Sequence, residues 1–409
     1  MTGSPRLTII ADDLTGAADT GAPFAMAGFT TTIPFGIDHP SETDVLVINT
    51  HSRGLSGSEA AAANRTAVQT WVSPVGDGSR GWVYKKIDSA LRGHPAAELV
   101  AVMEAMGTHK ALVAPALPAE GRTTVGGRQL LDGIPLEDTT FGAMGVTSDL
   151  VAVFDPRARG HTISLDLATV RRGPDAIGQF LKKVDHGVII ADAETEDDLA
   201  ALAQALASSD LALLAGTAGL ARHLAQVLPG TRTHAPIRPT SLPGQGILII
   251  AGSRDQVTAN QVDHLREHGL PIVSLAAHHL DGHNLSAEVM APLTERLAAG
   301  KSVVLTTVGL HSPAHGAGEV RECLATIVAT PAVRLHLGGL VLTGGDVAMG
   351  ILLELAITEL RIGGEVRPAL PWTIAHLGDG SLLPVITKAG SFGEADALLA
   401  CLNLLGDHP

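Results

Sequence analysis

Cysteine, aromatic rings, basic charge and long apolar runs are all scarce in this 409-residue chain. Two cysteines, Cys323 and Cys401, leave no disulfide framework and no thiolate metal site, which suits a reducing compartment. Aromatics are 3% of the residues, so cores must be assembled from Ala, Val, Leu and Ile. Lys and Arg total 28 against 42 Asp and Glu, and the net charge of −14 argues against nucleic acid or an anionic membrane as partner. The longest apolar runs, such as "ILIIAG" at Ile247–Gly252, are far too short to span a bilayer. "LTII" breaks at once into "ADD", so no signal-type segment is expected and a cytoplasmic location is. The familiar phosphate signatures are missing too. "AAGKSVV" has Gly300, Lys301 and Ser302, but Glu295 occupies the first glycine position and a strand-like run follows. "GAGEVR" at Gly316 lacks the third glycine of a dinucleotide fingerprint.

What is present is globular: 45% hydrophobic and 17% charged residues, in a length that suits two domains. Short apolar runs recur as "LTII", "DVLVIN", "WVYKKID", "ALVAPA", "DLVAVFD", "GVIIADA" and "LALLAG". Alanine-rich amphipathic stretches such as Ser58–Trp71 and Ala96–Met106 lie between several of them. This alternation reads as βαβ units around a mostly parallel sheet. It pauses in the proline-rich stretch Leu228–Gly246 and restarts with "GILIIAG", "KSVVLTTVG", "GLVLTGG" and "LLPVITKAG". The expected fold class is therefore α/β: an N-terminal domain over residues 1–230, a linker over 231–245 and a C-terminal domain over 246–409. Ligands in open α/β sheets sit beyond the carboxyl ends of the strands, so the active site is expected there, in an interdomain cleft.

Charged residues gather at the strand ends of the first half. In "IIADDLTG", strand alternation predicts that Asp12 and Asp13 do not act as one carboxylate pair: one faces the ligand and the other caps the next helix. Pattern alone leaves open that both are structural. "YKKIDSALRGH" places Lys86, Asp88 and Arg92 around one exit, "NTHSRG" places Ser52 and Arg53 at another, and "APALPAEGRTT" places Gly121 and Arg122 at a third. Each run could be a solvated face, yet three arginines at three exits of an acidic chain suit a small carboxylate substrate.

The second half repeats a glycine turn instead. "IIAGSRDQVTANQ" carries Gly252 and Ser253, "LVLTGGDVAMG" carries Thr343, Gly344, Gly345, Asp346 and Val347, and "VITKAGSFGEAD" carries Lys388, Gly390 and Gly393. Glycine lets main-chain N–H groups approach an anion at a helix start, and three such turns read as a phosphate cradle. Of the histidines, His264 and His268 lie four apart, and His278, His279 and His283 crowd one loop. Without evident closing ligands they are expected to serve surface or packing roles.

Taken in order, "ADDLTGAADTG", "NTHSR", "KKIDSALRG", "PALPAEGRTTVGG" with "DGIPLEDTTF", "AGSRDQVTANQ", "LTGGDVAMG" and "TKAGSFG" resemble the four-carbon acid sugar kinase family. The resemblance runs from residue 9 to about 393. It implies an N-terminal domain for the sugar acid and a C-terminal domain for ATP. It also implies an alcohol-acceptor phosphotransferase acting on the terminal C4 hydroxyl of an acid such as D-threonate, D-erythronate or 3-oxo-tetronate. Carried over residue by residue, Asp12, Arg53, Lys86, Asp88 and Arg92 line the acid site, and Arg122, from its own strand end, is expected to bind the substrate with them. Ser253, Thr343, Gly344, Gly345, Asp346, Val347 and Gly390 contact ATP. His94, Ala90 and Ser391 depart from the usual pattern, which bears on the substrate. The expected catalyst is Asp12, then Asp88, accepting the hydroxyl proton, with Mg²⁺ bridging phosphate oxygens and its protein ligands unknown. The partners are small molecules, with homo-oligomerisation left open. The rival readings are a non-turnover sensor of sugar acid and nucleotide, and a sugar-phosphate isomerase or lyase.

Overall fold

The computed structural model describes residues 5–36, 43–72, 81–158, 161–228, 239, 245–280, 286–310 and 315–406. The chain forms two compact units, one of Met1–Thr31 with His39–His234, the other of Thr32–Asp38 with Ala235–Pro409. The segment expected to be a linker, 231–245, lies outside the described residues except for Pro239 and Gln245.

In the first unit the chain runs β1 (Leu7–Ala11), α1 (Leu14–Met26), β2 (Thr31–Pro34, mostly counted with the second unit), β3 (Val45–Asn49), α2 (Gly57–Trp71), β4 (Trp82–Lys86), α3 (Pro95–Met106) and β5 (Lys110–Ala114). A small antiparallel sheet follows, β6 (Arg122–Val125), β7 (Arg128–Leu131) and β8 (Ile134–Pro135). Then come α4 (Leu150–Ala158), β9 (Thr162–Leu165), α5 (Leu167–Val170), α6 (Pro174–Lys182), β10 (Gly187–Ala191), α7 (Glu196–Ala207), β11 (Leu213–Gly216) and α8 (Ala218–Val227). The main strands lie in the order β3-β1-β4-β11-β5-β10-β9, every pair parallel. Every residue of β1 and β10 is buried, as expected of strands covered on both faces. The chain's single tyrosine, Tyr84, is fully buried and donates its phenol to the Thr217 carbonyl at 2.6 Å.

One expected strand is a helix. "DLVAVFD" forms the start of α4, with the Asp149 carboxylate accepting from the Ala152 N–H at 3.0 Å. Its apolar run is too short for periodicity to decide, and the cap settles the matter in favour of helix.

The second unit contains β12 (Gly246–Ala251), α9 (Gln256–Glu267), β13 (Ile272–Ser274), α10 (Ala287–Ala298), β14 (Val303–Thr306), α11 (Ala317–Ala329), α12 (Pro331–Arg334), β15 (Leu337–Thr343), α13 (Gly345–Glu354), β16 (Ile357–Glu365), β17 (Pro371–Leu377), β18 (Leu382–Lys388) and α14 (Ala397–Leu405). Strands β13-β14-β12-β15-β18 are parallel, while β17 and β16 continue the sheet antiparallel. The core packs Ile247, Ile249, Val341 and Ile386 against Val262 and Leu265 of α9 and Leu398 and Leu402 of α14. Each such side chain taken from water is worth about 1.5–3 kcal/mol.

Candidate active site

The carboxyl ends of β1 and β4 bring most of the first-half candidates together. Asp13 caps α1: one carboxylate oxygen accepts the Gly16 N–H at 2.9 Å and the other accepts the Thr15 hydroxyl at 2.8 Å. Asp12 is buried, and Arg53 grips it as a two-pronged fork, Nε to Oδ2 and Nη2 to Oδ1, both at 2.8 Å. Arg53 also donates to Asp13, through Nη1 at 2.7 Å and Nη2 at 3.0 Å. The two aspartates thus share one guanidinium, contrary to the separation expected from strand alternation. Both lie past the end of β1, and the planar fork is broad enough to span them.

A second fork stands beside the first. Arg92 donates Nε and Nη2 to Asp88 at 2.9 and 2.8 Å, and Asp88 also accepts the N–H groups of Ala90 and Arg92. Leu91 makes this closure possible by taking a left-handed backbone with φ of 58°. A bulky residue held there is backbone strain of the kind that clusters at functional sites.

Burial alone would raise the Asp12 carboxyl, but the Arg53 fork overrides it and holds the group below the usual carboxylate range. Asp88 is likewise held well below that range, with the Arg92 fork overcoming its burial. Both are carboxylates at neutral pH. Lys86 differs from the arginines. It is buried, its Nζ donates to the Ile87 carbonyl at 2.9 Å, and no carboxylate lies within 4.0 Å of it among the described residues. A buried ammonium without a carboxylate partner is costly unless a ligand completes it.

A cavity of about 470 Å³ opens beside this cluster, bordered by Arg53, Arg92, Gly93, His94 and Thr147. Arg122 is not in its lining. It opens β6, and its Nη1 donates to the Glu120 carbonyl at 3.1 Å. Sequence reasoning missed the residues underneath. Lys85 Nζ and Glu98 Oε2 form a fully buried ion pair at 2.8 Å, and the Ser52 hydroxyl donates to the other Glu98 oxygen at 2.8 Å. Glu98 of α3 so ties the end of β4 to the residue before Arg53. The doubled lysine in "YKKID" was the only signal, and it resembled an ordinary solvated run.

In the second unit the ends of three parallel strands align, since Ala251 and Lys388 both pair with Thr343. That register puts Ser253, Gly344 and Gly390 side by side. A Cβ added to Gly390 would fall 1.9 Å from Ser253 Oγ, so a side chain there requires Ser253 to move. Gly252 is also close to Val347, whose Cγ2 would be 2.9 Å from an added Cβ. Gly344, with φ of 93°, donates its N–H to the Lys388 carbonyl at 2.9 Å and leads into α13. Thr343 is buried and its Oγ1 has no partner among the described residues. Gly345, Asp346 and Val347 form the first turn of α13, with Asp346 exposed. The first N–H groups of a helix lack partners within it, so this turn can receive an anion.

As for metals, ligand atoms of His278, His279 and Glu288 lie within 4.8 Å of one another. His279 Nδ1, however, accepts the Ala276 N–H at 2.9 Å, so the neutral ring carries its proton on Nε2 and offers that nitrogen no lone pair for a cation. His283 lies outside the described residues. At the glycine turns Asp255 is occupied as the cap of α9, which leaves Asp346 and Glu394 as exposed carboxylates among the described residues. A Mg²⁺ ion held mainly by phosphate oxygens and water fits that donor set.

The comparisons agree with this division. Residues 7–224 match the family of sugar-binding N-terminal domains, and residues 248–398 match the family of nucleotide-binding C-terminal domains. A D-threonate kinase of Cupriavidus necator is 36% identical over 95% of both chains. A 3-oxo-tetronate kinase of Methylobacterium radiotolerans is 29% identical over 98% of this chain and all of its own. The crystal structure of a Haemophilus influenzae protein of the DUF1537 family shares the fold, with a TM-score of 0.74 at 22% identity over 97% of this chain and 100% of that one. The chain belongs to the four-carbon acid sugar kinase family. Its C-terminal unit is the nucleotide-binding domain of that family, and among the described residues no helix is long and apolar enough to cross a membrane.

Proposed function

We propose that this chain transfers the γ-phosphate of Mg²⁺·ATP to the terminal C4 hydroxyl of a four-carbon sugar acid, with D-threonate the first substrate to try. The observation that carries the reading is the pair of Arg–Asp forks flanking the buried Lys86 ammonium, within the unit that matches sugar-binding domains.

Lys86 is the cation for the anionic substrate, because its charge is not already matched by a carboxylate at contact distance. Arg53 has given four of its five N–H groups to Asp12 and Asp13, so its task is to hold those carboxylates ionised and in place. Between the two candidate catalysts, Asp12 is preferred. Each of its oxygens receives one bond from Arg53 and keeps acceptor capacity, whereas Asp88 Oδ2 already receives three.

A carboxylate held this low is a weak Brønsted base. Its role is to accept the hydrogen bond of the attacking hydroxyl and align it, which suits a phosphoryl transfer that depends on positioning more than on early proton removal. Arg92 and Asp88 shape the neighbouring wall. Ser253, Gly345 and Gly390 receive the phosphates through main-chain N–H groups, while Gly344, whose own N–H is given to the Lys388 carbonyl, shapes the turn beside them. Asp346 would hold the metal through its water shell. Mg²⁺, when bound, supplies charge neutralisation of the phosphate oxygens.

A coupled assay for ADP release tests this, run with D-threonate, D-erythronate and 3-oxo-tetronate in turn. Acid-dependent ADP release with one member of the panel is the expected result. Turnover of a sugar phosphate without nucleotide, or nucleotide and acid binding without any ADP, would end the kinase reading.

A further inference from the structure

The turn after β18 has an unusual distribution of hydrogen bonds. Five of its main-chain carbonyls, those of Ala389, Gly390, Phe392, Gly393 and Glu394, accept bonds from just three side chains. Lys388 Nζ donates to Ala389, Gly390 and Phe392 at 2.8, 3.1 and 2.9 Å. Thr258 Oγ1 donates to Gly390 at 2.9 Å, and Gln261 Nε2 donates to Phe392, Gly393 and Glu394 at 3.1, 2.9 and 3.0 Å. All three donors are buried.

An ammonium has three N–H groups, and Lys388 has directed all of them at carbonyls. A lysine beside glycine turns would ordinarily be assigned to the phosphates themselves. This one has no N–H left for an anion. Its effect is instead on the opposite side of the peptide planes. Carbonyls drawn inward turn the N–H groups of the same turn outward, and those of Gly390 and Ser391 have no acceptor among the described residues. Main-chain N–H groups converging in this way form an anion-receiving concavity.

We propose that Lys388 and Thr258 are positioning residues that hold the Gly390–Ser391 amides toward the nucleotide phosphates, with Gln261 fixing the far end of the same turn through the Phe392, Gly393 and Glu394 carbonyls, all three without touching the nucleotide. This inference rests on the nucleotide-binding reading of the second unit. It assigns the three side chains an effect on nucleotide affinity that is not shared by the sugar acid.

The test uses the full chain with Mg²⁺·ATP and D-threonate. Thr258→Val keeps the shape and removes one donor, and Lys388→Met removes three. KM for ATP is expected to rise about fivefold in the first and more than tenfold in the second, as befits lost hydrogen bonds at a charged ligand. KM for D-threonate stays within about twofold, since the change leaves the first unit intact. An unchanged KM for ATP in both folded variants overturns the proposal, and so does a parallel rise of both constants, which would mark a merely structural role.

Hydrogen exchange on the wild-type chain provides a second measurement that no folding failure can spoil. Peptides spanning 389–394 should gain protection when a non-hydrolysable ATP analogue binds. Binding without protection overturns this inference alone. Failure of the wild type to bind the analogue removes the nucleotide reading, and this inference with it.

Discussion

The two units present opposite chemistry at the ends of their strands. The first builds its site from side chains: Asp12, Asp13 and Asp88 face Arg53, Arg92 and Lys86, three carboxylates against three cations. The second presents backbone instead, with glycines at 252, 344 and 390 and buried side chains that donate to the carbonyls of the turn after β18. Side-chain sites can be retuned one residue at a time, and that suits a unit that must tell one four-carbon acid from another. Peptide N–H groups read phosphate irrespective of what is phosphorylated, which suits the unit that holds the common co-substrate. The arginines expected to meet a carboxylate substrate are instead engaged by aspartates, and Lys86 is left without a carboxylate at contact distance among the described residues.

The largest effect expected to break this contrast is that of Asp12→Asn. kcat should fall about 10²–10⁴-fold while nucleotide binding persists, measured by ADP release and by titration with the ATP analogue. Loss of nucleotide affinity in that variant would show that the two sites are not independent.

Next is Glu98→Ala, which takes the carboxylate partner from Lys85 in the core of the first unit and leaves it only the Ile10 and Lys86 carbonyls. It should cost about 3–5 kcal/mol in denaturant unfolding, far more than removing a surface partner. Gly390→Ala presses a methyl group onto Ser253, an overpacking of about 1–3 kcal/mol that should appear in KM for ATP alone. Ser253→Gly in the same chain should relieve part of it. If the double change is no better than the single one, the contact is not what excludes the methyl group.

The smallest effect concerns acid. Asp88 has a folded pKa below its unfolded value near ~3.9, so its contribution is fully present above that pH and is lost as pH falls through the folded value. The melting-temperature gap between wild type and Asp88→Asn should therefore hold from pH 7 to about 5 and close only below about 4. A gap that closes near neutrality would contradict the fork.

How far the sequence reaches can be judged from particular residues. Strand-end motifs were legible because parallel strands give continuous apolar runs, and the chemistry sits just past each run, as at Asp12 and Thr343. The helix at Leu150–Ala158 was not, because a few apolar residues fit either period and the deciding cap was a single aspartate. The antiparallel β16–β17 pair also escaped notice. β16 alternates buried with less buried positions and carries Glu359 and Arg361 among its apolar residues, so it lacks a continuous apolar run. The arginine forks were foreseen as a charge cluster but not as mutual partners. Glu98 and Gln261 could not be foreseen at all, since each acts on residues remote in sequence: Glu98 on Ser52, and Gln261 on a turn more than a hundred residues away.

The second unit also owns a stretch from near the start of the chain. Residues 32–38 belong to it, and the Phe35 N–H donates to the Thr358 carbonyl at 2.8 Å. During synthesis that early strand emerges more than three hundred residues ahead of its partner, a wait of tens of seconds at ordinary elongation rates. The nascent N-terminal half must therefore keep an unpaired strand from aggregating until the ribosome has nearly finished. A gene cut between the halves would yield a C-terminal fragment missing a piece of its own sheet.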